Sequence, residues 1–388
     1  MALSGIRVVD LTRILAGPFC TVLLADMGAE VIKVEDPKGG DAVRGQGVMV
    51  EGLSWYFAQF NRNKKSVVLD LRAPAGREAL ADLIRGADVL VENYRPGVLA
   101  QMGFGPERLN ELNPRLIAAS VNGYGSTGPY SERPSFDFIA QAMSGFMSLN
   151  GAPDGPPLRS GAPMSDLVAG LYAAFGIVCA LNARGRTGRG QAVESALTNG
   201  LISMMAYASA NHFATGENPK RTGNDHPIAS PYGLFRAADG EIAIAPSTED
   251  IVRRLLRALD LEAMLDDPDF ATVAQRMKHR ARINAAIDER LGRDTVAHWI
   301  EALNRAGVPC GRVMNLSEVF ADPQVRAQQM LLEVEHPGHG AVKMTGFPVK
   351  LSETPCAIRR PAPELGQHTE EVLRALGWDD ARLAALKP

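Results

Sequence analysis

Residues 6–35, IRVVDLTRILAGPFCTVLLADMGAEVIKVE, decide the fold that this sequence predicts. The β-branched run at 6–11 is typical of a buried strand, and EVIKVE at 30–35 is typical of a second strand. The stretch between them predicts a helix, because Pro18 lies where a first turn accepts proline and Gly28 follows the last turn. A strand, a helix and a strand in this order indicate a βαβ unit with two parallel strands.

The same alternation of strands and helices continues along the chain. Further strands are predicted at 66–71, 88–93 and 115–123, with the helical stretch PAGREALADLIRGA between the first two. Residues 164–184, MSDLVAGLYAAFGIVCALNAR, are apolar at helical spacing on almost every side, which predicts a buried helix. The fold class we expect is therefore α/β, with a doubly wound, Rossmann-like parallel sheet in a large domain.

A change in composition indicates a domain boundary near the middle of the chain. The segment GENPKRTGNDHPIASPYG, residues 216–233, is rich in Gly, Pro, Asn and Asp, which are typical of loops. The residues that follow predict a hairpin turning at Asp239 and Gly240 and then several amphipathic helices, so we expect a smaller, inserted α+β domain. The predicted ranges are 1–215 for the large domain, 216–229 for a linker, 230–316 for the small domain and 317–388 for a C-terminal segment that returns to the large domain.

The composition argues against several classes of protein. Apolar residues make up 46% of the 388 residues, which is enough for a large core and excludes a disordered chain. The 41 basic and 44 acidic residues are evenly spread, so no nucleic-acid partner is expected. No run of about 18 apolar residues predicts a membrane span, and the N-terminal apolar stretch is short for a signal peptide. Four widely separated cysteines favour a reducing, cytoplasmic location.

Asp166 is the candidate catalytic residue, and its position at the head of the long predicted helix allows two interpretations. An aspartate beside Ser165 at a helix start is commonly an N-cap, which stabilises the helix by about 1 kcal/mol. The same position suits a nucleophilic carboxylate, because backbone N–H groups and the helix dipole favour the ionised form. A carboxylate must be ionised to attack, so both interpretations stay open on the residues alone.

Two other motifs have a context that does not support them. Residues 123–128 match G-x-G-x-x-G after a predicted strand, but Pro129 and Pro134 predict a loop where a dinucleotide site needs a helix. His336 and His339 lie in a glycine-containing turn with no third ligand nearby in the sequence. We therefore expect neither a nicotinamide site nor a metal site.

Seven segments carry a family resemblance: residues 5–44, 63–78, 88–104, 113–129, 136–145, 187–194 and 365–377. Together they resemble the class III CoA transferases, a family that includes formyl-CoA transferase, carnitine-CoA transferase and the α-methylacyl-CoA racemases. The resemblance spans nearly the whole chain. Each segment alone is weakly specific, and their order is what identifies the family.

The resemblance implies a reaction at Asp166. In this family the aspartate after the Gly-Pro-rich stretch, here GAPDGPPLRSGAPMSD, attacks an acyl-CoA to form an aspartyl anhydride and then an aspartyl-CoA thioester. It implies coenzyme A and acyl-CoA as substrates, a small carboxylic acid as the acceptor, and no tightly bound cofactor. It also implies an interlaced homodimer.

The resemblance further implies which residues contact CoA, and it shows departures from the family pattern. Asp36 stands where formyl-CoA transferase has an arginine, Gln101 appears in place of a second one, and the glycine-rich lid is missing, so oxalate is not the expected acceptor. Guanidinium groups bind phosphate bidentately, which gives Arg72 and Arg95 a chemical reason to contact CoA. The positions that the resemblance assigns to CoA are Leu15, Ala16, Leu69, Asp70, Leu71, Arg72, Asn93, Tyr94, Arg95, Gln101 and Phe136.

Three alternatives to transferase chemistry remain. A racemase needs a histidine partner for the aspartate, and the histidine position aligns with Phe136, which cannot carry a proton. Glu249 falls near a glutamate that racemases use, which keeps this alternative open. The others are a nicotinamide-dependent reductase, which cofactor absorbance would reveal, and a noncatalytic CoA-binding protein, which would bind CoA without turnover.

Overall fold

The structure, a computed structural model, describes residues 1–386. Its strands lie in a parallel sheet, an antiparallel sheet and two hairpins. In chain order they are β1 (Arg7–Asp10), β2 (Glu30–Glu35), β3 (Met49–Val50), β4 (Leu53–Ser54), β5 (Lys64–Val68), β6 (Val89–Glu92), β7 (Ile117–Asn122), β8 (Ala192–Ala196), β9 (Gly233–Ala237), β10 (Gly240–Ile244), β11 (Cys310–Arg312), β12 (Leu331–His336) and β13 (Gly340–Thr345).

Helices connect most of these strands, and two short 3-10 helices occur at Ala42–Gly45 and Glu262–Asp266. The α-helices are α1 (Ala16–Asp26), α2 (Trp55–Asn61), α3 (Pro74–Arg85), α4 (Val98–Gln101), α5 (Pro106–Leu112), α6 (Asp137–Met143), α7 (Phe146–Leu149), α8 (Met164–Thr187), α9 (Leu197–Ser203), α10 (Ala206–Thr215), α11 (Glu249–Ala258), α12 (Val273–Lys278), α13 (Arg280–Leu291), α14 (Val296–Arg305), α15 (Leu316–Ala321), α16 (Pro323–Ala327), α17 (Thr369–Ala375) and α18 (Asp380–Ala384).

The central sheet has six parallel strands in the order β5-β2-β1-β6-β7-β8. This is the doubly wound order, in which the chain builds outward from β1 in one direction and then from β6 in the other. The predicted α/β fold is therefore confirmed, and β2 has the predicted bounds. Since the strand order reverses between β1 and β6, the crevice at their carboxyl ends is where such folds bind ligands.

Each face of the sheet is covered by helices, because neighbouring residues of a strand point to opposite sides. Val8 of β1 packs with Leu24 of α1 and Ile177 of α8. Val9 packs on the other side in a core that includes Leu80 of α3 and residues of α17. The β-branched runs of the sequence thus become strands buried on both faces, as expected for a parallel sheet.

Helix α8 differs from the prediction that it is buried all round. Its inner face is buried at Ala173 and Ile177, but Leu171 is 50% exposed and Phe175 is 66% exposed. An apolar pattern on every side shows that a helix avoids water but does not show which neighbours cover it. By length and composition alone, α8 could cross a membrane. This is weak evidence for a membrane span, because 44% of the apolar window of α8 is buried inside the protein.

Gly170 lets α8 lie close to the start of α1, and its replacement should be costly. A Cβ atom at Gly170 would lie 2.5 Å from the backbone oxygen of Ala16 and 3.1 Å from Cδ1 of Phe19. We expect Gly170→Ala to lower the free energy of unfolding by about 1–3 kcal/mol in a urea titration, because the helices must move apart. Gly185→Ala on the same helix meets no atom within 4 Å and should be neutral or slightly stabilising. Equal effects of the two substitutions would contradict this assignment.

The described chain divides into two compact units. The first contains residues 1–147, 159–217 and 323–386, and the second contains 148–158 and 218–322. The second unit has a three-stranded antiparallel sheet, β11-β10-β9, whose predicted hairpin turn after β9 is confirmed. Its core includes Phe235, Leu255 and Ile287, so it has a hydrophobic centre of its own. Residues 148–158, which the sequence assigned to the large domain, group with this unit.

Candidate active site

A cavity of about 460 Å³ opens at the carboxyl ends of β1, β6 and β7. This is the end of the sheet at which its topology predicts a ligand site. Asp166, from the first turn of α8, lines the same cavity. Predicted CoA positions that also line it are Leu15, Ala16, Asn93, Tyr94, Arg95 and Phe136.

Asp166 is in the first turn of α8, as the sequence predicts, but it does not cap the helix. The N-cap residue is Pro163, which makes no side-chain capping hydrogen bond. Across residues 1–386 we find no hydrogen bond or ion pair to the Asp166 carboxylate. Its side chain is therefore available to a ligand in the cavity, and the capping interpretation is wrong.

A buried neighbour, Asp137, fixes the beginning of α8. Its Oδ1 atom accepts hydrogen bonds from the backbone N–H of Ser165 at 2.9 Å and from the Ser165 hydroxyl at 2.8 Å. Its Oδ2 atom accepts one from Nε2 of Gln141 at 2.8 Å. Gln141 in turn accepts a hydrogen bond from the N–H of Ser160 at 2.8 Å. These contacts position the residue next to Asp166 through groups that do not reach the cavity themselves.

The electrostatic surroundings of Asp166 differ from the sequence-based expectation. Burial, followed by the negative charge of Asp137, raises the pKa of Asp166 to about 7 from the ordinary value of 3.8. The helix start was expected to favour the ionised form, whereas burial and the charge of Asp137 favour the protonated form. Burial, with Asp166 and Asp41 nearby, likewise raises the pKa of the Tyr56 hydroxyl to about 12. Tyr56 thus stays protonated and can donate a hydrogen bond.

The raised pKa makes a testable prediction about stability. In the unfolded chain Asp166 has an ordinary pKa, so the folded state binds the proton more tightly than the unfolded state does. Protonation of Asp166 therefore stabilises the folded state at low pH, and this stabilisation is lost as pH rises from about 4 through 7. We expect the stability advantage of Asp166→Asn over the natural protein to grow by about 1–3 kcal/mol between pH 5 and pH 8. Chemical denaturation at both pH values measures it. A difference that does not change with pH would mean that Asp166 has an ordinary pKa.

The other predicted CoA positions lie apart from Asp166. Leu69, Asp70, Leu71 and Arg72 line a second cavity of about 320 Å³ next to the first, and Tyr94 lines both. Gln101 lines neither of the two cavities. The structure therefore brings ten of the eleven predicted positions to two adjoining cavities, and Gln101 lies outside them.

The contacts of two predicted CoA residues change their interpretation. Arg72 is not a free cation, because its Nε lies 2.8 Å from Asp70 and its NH2 group lies 3.2 Å from Asp36. The Asn93 side chain forms two hydrogen bonds with the backbone of Arg13. Its Oδ1 accepts from the N–H at 2.9 Å, and its Nδ2 donates to the C=O at 2.8 Å. Both groups therefore already have protein partners.

Three residues of the site, Arg13, Arg133 and Tyr56, were not predicted from the sequence. Arg13 and Arg133 line the cavity that contains Asp166, and Arg133 also lies 3.7 Å from the centre of the Tyr130 ring. The signal for Arg13 was present in the sequence, because it lies in the loop after the first strand, where doubly wound folds bind ligands. Nothing in the local sequence distinguishes Tyr56, whose position near Asp166 depends on the packing of α2.

The two weaker motifs lie in an irregular loop and at the turn of the β12–β13 hairpin. No helix follows the G-x-G-x-x-G segment until Asp137, so the dinucleotide interpretation is wrong. The His339 ring contacts the backbone oxygen of Glu51 and the carboxylate of Glu364. Within residues 1–386 no three His, Cys, Asp or Glu side chains are grouped closely enough to hold a metal ion.

Comparison with known proteins gives a consistent result. Residues 3–369 match the model of CoA-transferase family III. The chain is 39% identical to a succinate–glutarate CoA-transferase of Agrobacterium fabrum, covering 96% of this chain and 95% of that one. It is 40% identical to an acetyl-CoA:oxalate CoA-transferase of Acetobacter aceti, covering 98% and 97% respectively.

A solved structure agrees with the sequence comparisons. The crystal structure of a CAIB/BAIF family protein from Brucella suis superposes with a TM-score of 0.86, at 37% identity, over 96% of this chain and 99% of that chain. The family resemblance read from the seven sequence segments is thereby confirmed. Because the family model matches residues 3–369 and these relatives match nearly the whole length of the chain, the chain belongs to CoA-transferase family III.

Proposed function

We propose that this enzyme transfers CoA from an acyl-CoA to a carboxylic acid through covalent intermediates on Asp166. The observation that carries the proposal is the position of the Asp166 carboxylate, which lines one cavity together with six of the predicted CoA positions and has no protein partner within residues 1–386. Burial makes the carboxylate less hydrated and so more reactive once it is ionised.

The proposed reaction begins with attack of the Asp166 carboxylate oxygen on the thioester carbonyl carbon. The C–S bond breaks, CoA leaves as a thiolate, and a mixed anhydride remains. The thiolate then attacks the aspartyl carbonyl carbon, which releases the donor acid and leaves an aspartyl-CoA thioester. The acceptor carboxylate reverses both steps, so the new acyl-CoA leaves and Asp166 is regenerated. Each step exchanges one carboxylate or thiolate for another.

We propose small dicarboxylic acids as the acceptor class. Relatives at 37–39% identity are named for succinate and glutarate. A relative at 40% identity is named for oxalate, but the departures at Asp36 and Gln101 and the missing lid make oxalate itself the less expected acceptor here. The lining of the cavity also suits an anion, since Arg13, Arg95 and Arg133 line it and Asp166 is its one carboxylate among the described residues. A second carboxylate of the substrate can pair with one of these arginines while the first reacts.

Racemase chemistry is the alternative that we disfavour. Phe136 lines the cavity where a racemase would need a second proton carrier, and a phenyl ring has no proton to exchange. Glu249 lies in the second unit, where its carboxylate is 2.5 Å from the guanidinium of buried Arg276. Deuterium uptake at the α-carbon of a 2-methylacyl-CoA would support the racemase and contradict our proposal.

We further propose that the enzyme is a homodimer, in the interlaced form that the resemblance implies. Support comes from apolar side chains exposed on helices that pack together, α6, α8 and α9. Phe138 is 55% exposed, Phe175 66% and Ile202 50%. Exposed apolar patches of this kind commonly mark protein interfaces. Light scattering of the purified protein tests the assembly.

The proposed mechanism is tested by mass spectrometry of the intact protein and its peptides after incubation with a panel of acyl-CoAs. Without reductant we expect an adduct of the mass of CoA, and with borohydride the aspartyl thioester should be reduced to an alcohol, which releases CoA as the thiol and leaves homoserine at position 166. Asp166→Asn is the matched control, because it keeps the shape of the side chain and removes the nucleophile. An adduct or a reduced residue at a different position, or turnover with neither an adduct nor a reduced Asp166, would contradict the proposal.

A further inference from the structure

The two cavities have different charges, although the resemblance assigns CoA contacts to both. The cavity that contains Asp166 is lined by three arginines and one carboxylate. The second cavity is lined by Arg13, Lys33 and Arg72 but also by four carboxylates, those of Glu35, Asp36, Asp41 and Asp70. Phosphate groups of a bound CoA therefore meet a favourable potential in the first cavity and a balanced or unfavourable one in the second.

Two of the three cations of the second cavity, Lys33 and Arg72, are already neutralised by protein groups. Lys33 lies 2.9 Å from Asp41, and both side chains are almost completely buried. Arg72 pairs with Asp36 and Asp70, so a phosphate would have to compete with two carboxylates for one guanidinium. Arg72 has a poor position for phosphate binding on these grounds, although the family resemblance points to it.

Arg13 has the position and the free charge that Arg72 lacks. Within residues 1–386 it forms no ion pair, and it is the one arginine or lysine that lines both cavities. Its guanidinium carbon is 5.6 Å from the centre of the Tyr94 ring, the other side chain at the junction of the cavities. A ligand that extends from Asp166 into the second cavity passes this junction.

The backbone around Arg13 is held by side chains instead of by regular secondary structure. Asn93 bonds both the N–H and the C=O of Arg13, as described above. The N–H of Thr12 donates to Asp10 at 2.9 Å, and the N–H of Ile14 donates to Asp41 at 3.1 Å. Ile14 has a φ of 70°, a conformation that is rare for a β-branched residue and that these bonds sustain. The loop is therefore fixed before a ligand binds.

From these contacts we infer that Arg13 is the residue that binds a phosphate group of CoA, and that Asn93 is a positioning residue that acts through Arg13. This inference rests on the proposed function, since it assumes that CoA occupies the cavity of Asp166. It assigns the phosphate contact to a residue outside the positions that the family resemblance gives. The phosphate concerned belongs either to the diphosphate or to the 3′-phosphate of CoA, which are chemically alike and distinguishable by ligand.

The experiment is calorimetric titration of the full-length enzyme and its variants with CoA and with 3′-dephospho-CoA. We expect Arg13→Gln to weaken CoA binding about 10- to 100-fold, the usual effect of losing a charge-assisted hydrogen bond. Arg13→Lys should recover part of the loss, because it keeps the charge without the planar fork. Arg108→Gln, an exposed arginine on α5 outside both cavities, is the matched control and should bind CoA as the natural enzyme does.

The two ligands distinguish the phosphates. If the loss with Arg13→Gln is the same for 3′-dephospho-CoA, Arg13 binds the diphosphate. If the loss disappears, it binds the 3′-phosphate. Asn93→Ala should weaken CoA binding in the natural enzyme but have little effect in the Arg13→Gln background, because residues that act as a unit are not additive.

A turnover measurement separates binding from structural damage. An acyl-pantetheine has the reactive thioester but none of the phosphates, so Arg13→Gln should lower kcat/KM for the acyl-CoA by at least about 10-fold more than kcat/KM for the acyl-pantetheine. An equal loss with acyl-pantetheine, unchanged CoA binding, or a larger loss of CoA binding in Arg72→Gln would each overturn the inference. If CoA binding depends on Arg13 but no adduct forms on Asp166, the proposed mechanism is wrong and the assignment of Arg13 still holds.

Discussion

Replacing Asp166 with alanine is expected to lower CoA exchange by about 10⁴-fold or more, the scale of loss when a covalent nucleophile is removed. The reason is that no other carboxylate lines the cavity of about 460 Å³ among the described residues. CoA binding should be largely kept, because in the proposed mechanism Asp166 contacts the reacting thioester and not the phosphates. Initial rates of exchange and a calorimetric titration with CoA measure the two effects.

Asp154→Ala is the control for this prediction. Asp154 is an exposed aspartate twelve positions earlier, in the same Gly-Pro-rich stretch, and should leave exchange unchanged. Exchange that survives in Asp166→Ala, or that is lost equally in both variants, would show that Asp166 is not the nucleophile. Loss of CoA binding together with exchange would instead indicate damage to the cavity.

The second large effect is expected from Lys64, whose side chain is completely buried beside Asp10. Its Nζ atom lies 3.0 Å from Asp10 and also donates to Thr21 at 2.8 Å and to Asn61 at 3.0 Å. Lys64→Met leaves the buried Asp10 charge without its cation, so we expect the free energy of unfolding to fall by about 3–5 kcal/mol. Urea titration followed by circular dichroism measures this loss.

The neighbouring residue gives a control with the same substitution. Lys65 pairs with Glu30 and Glu371, whose side chains are 36% and 59% exposed. Lys65→Met should therefore cost about 1 kcal/mol or less, as is usual for ion pairs at the surface. If the two substitutions cost the same, the buried pair does not contribute more than a surface pair, and our account of Lys64 is wrong.

Much of the fold was predictable because its signals are local. The run EVIKVE became β2 with the predicted bounds, and α1 begins and ends around Pro18 and Gly28 as expected. Turn residues and β-branched runs act through neighbours in the sequence, so the sequence alone contains the information. The exposed face of α8 was not predictable, because burial depends on which elements pack beside it.

The site was predictable as a set of positions but not as a set of charges. Asp166 lines the cavity that its place in the sequence suggested, whereas its raised pKa depends on its burial and then on Asp137, which is 29 positions earlier in the chain. The same applies to Arg72, whose charge is paired with Asp36 from the end of a different strand. Charge depends on distances between side chains, and those distances exist only after the sheet has formed.

The loop at residues 12–14 has a consequence for how this enzyme changes in evolution. Its three backbone N–H groups donate hydrogen bonds to side-chain oxygens of Asp10, Asn93 and Asp41, which come from three separate segments of the chain. A substitution at any one of them leaves an N–H group without an acceptor, and such a loss costs about 1–3 kcal/mol when the group is buried. In related enzymes we expect these three positions to change together or not at all. The side chain at position 13 takes no part in these hydrogen bonds, so it can be replaced when the ligand changes without loss of the loop conformation.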